Sequence, residues 1–133
     1  MELNYKTAEK ALHAAKEKAL SMNIPVTIAV VDMGGHIIAL ARLDSVYGVI
    51  DFAVKKAKTA VMFGVNSEVM GSIISETGFH GYGMLNSNEG LLTIPGGVVI
   101  KDTAGNIMGA IGSSGGSPEQ DKEIAEAGAY AIA

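Results

Sequence analysis

The chain has 133 residues, enough for one domain, with 10 basic and 14 acidic residues, a net charge of −4 and no cysteine. Those numbers exclude a disulfide scaffold, Cys-based zinc and iron–sulfur sites, CxxCH haem attachment and thiol catalysis, and the acidic balance argues against nucleic acid as a partner. Aromatic residues make up 5% and Trp is absent, so the core must be built from Val, Ile, Leu, Met and Ala.

The first predicted element is a helix from about Asn4 to Met22, with Asn4 as its N-cap. Ala8, Ala11, Leu12, Ala15, Ala19 and Met22 recur at three- and four-residue spacing and form its apolar stripe. Lys6, Glu9, Lys10, His13, Lys16 and Glu17 occupy the opposite face. Three acids (Glu2, Glu9 and Glu17) and no apolar leader region make this segment a poor signal peptide. Nor does any run approach the roughly 20 apolar residues of a membrane span, so the expected location is the cytoplasm. Pro25 ends the helix by pushing its neighbour out of the α region.

"VTIAVVDMGGHIIALARL" follows, two β-rich runs around Asp32-Met33-Gly34-Gly35, and reads as a hairpin. A second helix runs from Tyr47 or Gly48 to Phe63 and stops at Gly64. Its buried side is assigned to Ile50, Ala53, Val54, Ala57, Val61 and Met62, and "KKAK", Lys55 to Lys58, is assigned to solvent. Ser67 to Ser75 is expected as a short helix capped by Ser67, and Glu76 to Thr93 as an irregular segment. A second hairpin turns at Asp102-Thr103-Ala104-Gly105, matching the first in its Asp-x-x-Gly pattern. The last helix runs from Pro118 to about Ile132. Ser117 is its N-cap, Gln120 completes a capping box, and Glu119 and Asp121 complement the dipole. Helices before, between and after antiparallel strands define an α+β class, expected as one sheet with helices gathered on a face.

Three places could carry chemistry. His13 sits on the polar face of the first helix, and His36 follows a tight turn. His80 lies in "GFHGYGM" beside Phe79, Tyr82 and Met84, a glycine-rich setting that could cover a flat apolar ligand. Gly96-Gly97 allow tight backbone approach at the entry to a strand, and the excess glycine of "GAIGSSGG", with Gly112 and Gly115, reads as a pocket wall or a tight subunit contact. No HExxH spacing, GxSxG elbow or P-loop is present, so a dedicated zinc site, a serine nucleophile and a phosphate cradle are not expected.

"VVDMGGHIIALARLDS", "AVKKAKTA" and "PGGVVIKDTAGNIMGAIGSSGGSPEQDKEIAEAG", in that order, resemble the GlcG/HbpS family. That family includes the C-terminal domain of PduO-type proteins and the OrfY-type proteins found with glycerol and propanediol utilisation genes. The resemblance spans nearly the whole chain, 1–133, as a single domain. One departure is Val99, where the family usually has proline two residues after the Gly-Gly pair. The resemblance implies a profilin-like antiparallel sheet with flanking helices and assembly into homo-oligomers. It also implies haem binding in some members and haem degradation in others.

Haem needs an apolar slot and one or two axial donors. His13 or His80 would be the donor, Tyr82 and Met84 would line the slot, and Gly96, Gly97, Gly112 and Gly115 would admit the ligand. The expected protein is therefore a homo-oligomer that binds haem or a related cofactor without catalysis of its own. A ligand-free accessory protein in glycerol or propanediol metabolism and a haem-degrading enzyme remain as alternatives. With 48% hydrophobic residues and a mean hydropathy of +0.29, the chain carries more apolar surface than a monomer of this size easily hides.

Overall fold

A computed structural model describes residues 2–132. The elements run α1 (Tyr5–Met22), β1 (Thr27–Val31), β2 (Ile37–Arg42), α2 (Gly48–Phe63), α3 (Ser67–Thr77), β3 (Gly97–Lys101), β4 (Ile107–Ser114) and α4 (Pro118–Tyr130). All strand pairs are antiparallel, and the four strands lie in the order β2-β1-β4-β3. The class is α+β.

Local signals placed most of these boundaries. The Asn4 side chain accepts from the Thr7 amide at 2.9 Å and opens α1. Asn23 in the left-handed region closes it, as Gly64 closes α2. Ser117 and Gln120 form the expected reciprocal capping box at α4. The two hairpin turns are built alike. Asp32 Oδ1 accepts the amides of Gly34 and His36, and Asp102 Oδ1 those of Ala104 and Asn106, all at 2.9 Å. The likeness runs on into the strands: both hairpins shift register at the turn, between Val30 and Val31 and between Ile100 and Lys101, and the order β2-β1-β4-β3 sets the two hairpins side by side in the same sense.

These turns have a pH consequence. The His36 backbone amide, foremost, holds the Asp32 carboxyl below its ordinary 3.8, and the Asn106 amide does the same for Asp102. A carboxylate depressed in the folded state stabilises above its unfolded pKa, and that contribution is lost as pH falls through the folded value. Urea midpoints are therefore expected to fall below about pH 4. They should fall less steeply in the double variant Asp32→Asn/Asp102→Asn, which keeps the acceptors and removes the titration. Equal slopes would show that the turns carry none of the acid sensitivity.

The helices do not gather on one face. α1 and α4 cover one side of the sheet, where Ile28, Val30, Ile100 and Ile111 meet Ala11, Ala15 and Ile124. α2 covers the other, where Val31 and Ala110 meet Ala57, Ala60 and Val61. The reason is legible in the central strands: β1 is buried at every position and β4 at nearly every one, so neither alternates. A strand covered on both faces needs two helical layers.

Two local expectations are corrected. Asn66, not Ser67, is the N-cap of α3, and neither side chain caps it. Both close the outer edge of β3 instead: Ser67 Oγ accepts the Gly97 amide at 2.9 Å, and Asn66 Oδ1 accepts the Val99 amide at 3.1 Å. A proline at Val99 could not make the second bond. The stretch expected to be irregular contains the end of α3 and a 3₁₀ segment, Phe79–Glu89, broken at Ser87 and Asn88.

Candidate functional site

His13 lies on the exposed side of α1, because Ala8, Ala11, Ala15 and Ala19 turn the other side to the core. It opens into a shallow hollow of about 520 Å³ lined by Lys6, Glu9, Lys10, Leu12, His13 and Lys16. The hollow has one wall, the helix itself, and the long lysine stems supply apolar surface beside Leu12. An accessible imidazole with apolar flanks suits an axial ligand to haem iron, so the donor set fits. Enclosing a flat ligand there requires a second surface.

His80 is exposed on the 3₁₀ segment, edge-on to Phe79 with ring centroids 5.4 Å apart. Tyr82 is also exposed, whereas Met84 packs inward with Met70, Ile74 and Leu91. This segment packs on α3 and reaches α2 through Lys55 Nζ, which donates to Glu89 O at 3.2 Å. The sheet and α2 thus stand between His80 and His13, and one protomer does not bring the two histidines together. His36 is a turn residue whose Nδ1 lies 3.3 Å from Asp32 Oδ1.

The predicted glycines are taken up by the chain's own packing. A Cβ at Gly112 would overlap the Ala53 carbonyl, and one at Gly97 the Lys56 carbonyl. At Gly96, with φ +127°, it would meet Ser113 O at 2.6 Å and Lys56 Nζ at 2.8 Å. At Gly115 it would meet Pro25 O at 2.5 Å.

That neighbourhood holds a buried ion pair which corrects the assignment of Lys56 to solvent. Lys56, placed in solvent with "KKAK", is completely buried, while Lys58 is exposed. Its Nζ donates to Asp121 Oδ2 at 2.9 Å and to Ser113 O at 3.0 Å. Asp121, assigned to the α4 dipole, is 3% exposed, and its Oδ1 accepts the Gly116 amide at 2.9 Å. The pair ties α2, β4 and α4 together past the end of β3. Burial pushes the Lys56 ammonium down and the Asp121 carboxyl up, and each partner opposes the other's shift. The signal was present: Lys56 shares its stripe with Ala53, Ala57 and Ala60, and Asp121 with Ile124, Ala125 and Gly128.

The family model described as "Haem degrading protein HbpS-like" matches residues 3–130. The chain belongs to the HbpS-like family. Among its relatives, an uncharacterised 15.0 kDa protein from the dhaT–dhaS intergenic region of Citrobacter freundii is 33% identical over 120 residues, 90% of this chain and 84% of that one. The HbpS-like fold is matched by the crystal structure of Klebsiella pneumoniae ORFY, with a TM-score of 0.89 at 25% identity over 98% of this chain and 91% of that one. A crystal structure of a PduOC–haem complex matches with a TM-score of 0.88 at 30% identity, covering 99% and 96% of the two chains. Among the described residues, no helix is long and apolar enough to cross a membrane.

Proposed function

We propose that this HbpS-like protein binds haem on the exposed face of α1, with His13 as axial donor, in an assembly of identical subunits and without chemistry of its own. The observation that carries this reading is the accessible His13 imidazole in a hollow flanked by Leu12 and lysine stems. The likeness to a PduOC domain crystallised with haem supports it. Bound haem would supply a redox-active iron. The chain's own part is to present the imidazole and shield one face of the ring. Since α1 offers a single wall, a second subunit would cover the other face. Exposed apolar side chains agree with assembly, among them Val46, Tyr47, Phe79 and Tyr82.

Adding haem to the purified protein is expected to give a Soret band that His13→Ala removes and His80→Ala retains. Loss in His80→Ala alone would move the site to the 3₁₀ segment, and absence of a band in the wild type would end the reading. Light scattering is expected to give a mass several times 13.7 kDa, and a monomer would contradict assembly. One observation favours the ligand-free accessory reading: the space beside Gly96, Gly97 and Gly112 is filled by the chain itself. Under that reading the folded oligomer shows no haem band.

A further inference from the structure

The hollow around His13 has a charge pattern opposite to that of the chain. Lys6, Lys10, His13 and Lys16 follow one another at four-, three- and three-residue steps, so they share one exposed helical face. Among the described residues, none of the three lysines takes part in an ion pair. Glu9, the acid that lines the hollow, is engaged elsewhere: the Tyr5 phenol donates to its Oε2 at 2.6 Å. Glu17, one turn beyond His13, does not line it. Three unpaired ammonium groups thus surround an accessible imidazole on a protein whose net charge is −4.

A neutral flat ligand would make no use of those cations. Haem carries two propionate carboxylates on one edge of an apolar ring, which matches a face with one metal donor, apolar stems and several ammonium groups. We infer that Lys6, Lys10 and Lys16 select a dianionic tetrapyrrole by pairing with its propionates, while His13 takes the iron. This rests on the haem reading above and adds which ligand class the face accepts and what sets its affinity. The contribution is Coulombic and solvent-exposed, so it is screened by salt, with a Debye length near 30 Å at 0.01 M and near 3 Å at 1 M.

The test titrates haem and haem dimethyl ester, which lacks both charges, into the wild type and into Lys6→Gln/Lys10→Gln/Lys16→Gln, following the Soret band at low and high salt. The triple variant is expected to bind haem about tenfold more weakly at low salt, with the Soret maximum unmoved. The ester should bind both proteins alike, and 1 M salt should erase most of the wild type's advantage. The comparison of haem with its ester needs only the wild type, so it stands even if the variant misfolds. Equal affinity for haem and ester in the wild type, or equal haem affinity in wild type and variant, overturns the inference. If the band still depends on His13, the haem reading survives that result. A wild type without any band overturns both.

Discussion

Replacing Lys56 by alanine is expected to destabilise the fold by about 3–5 kcal/mol. The change strands a carboxylate that is 3% exposed, leaving Asp121 with the Gly116 amide but without its cation. It also empties the space of the Lys56 side chain beyond Cβ, which packs beside Gly96. Lys56→Met separates these effects. It refills most of the volume, so whatever loss remains belongs to the uncompensated charge. In that variant only the Gly116 and Gly115 amides still oppose burial, so the Asp121 pKa rises further. A raised acid binds more protons folded than unfolded, so the variant's deficit should widen as pH rises from about 4 through the raised value. Adding Asp121→Ala to Lys56→Met removes the stranded charge. The double variant should therefore lose at least about 2 kcal/mol less than the two single losses combined. Urea midpoints at unchanged m-value measure all of this. A Lys56→Ala loss under about 1 kcal/mol, or strict additivity, would show that the pair does not hold α2 and α4 together.

The Lys56–Asp121 pair lies beyond what local sequence signals specify. Helix limits, caps and hairpin turns are local, and Asn4, Gly64, Ser117, Asp32 and Asp102 act as their neighbours in the sequence require. Lys56 and Asp121 obey an equally simple spacing rule, but a lone charge in an apolar stripe usually reaches solvent. What reverses that is a partner 65 residues away, and nothing local announces it. The second helical layer was foreshadowed in "TIAVV" and "GAIGSS", which do not alternate as one-sided strands do. His13 was placed on the correct face by the alanine stripe alone. The lysine steps around it were legible too. That Tyr5 draws Glu9 away from those lysines was not, because it depends on side-chain rotamers.

Gly112→Ala should be nearly as severe as the loss of Lys56, at about 3 kcal/mol or more, and Gly112→Val should prevent folding. Gly112 lies mid-sheet, paired with Ala29 on one side and Gly97 on the other. Its missing side chain lets the α2 backbone rest directly on the strand. A Cβ there would overlap the Ala53 carbonyl and come within 2.9 Å of the Ala57 amide. Both obstacles are backbone of a helix held by Ala57, Ala60, Val61 and the Lys56 pair, so no rotamer change relieves the clash. Gly48→Ala, in the same helix with open space around it, is the control and should be neutral or slightly stabilising. The comparison also decides what the glycine-rich strand is for. If Gly112 admits α2, alanine lowers stability, and the fraction that still folds binds haem unchanged, because α1 lies across the sheet from α2. If it admits a ligand, alanine lowers haem affinity at unchanged stability. Paired urea and Soret titrations of this one variant separate the two roles.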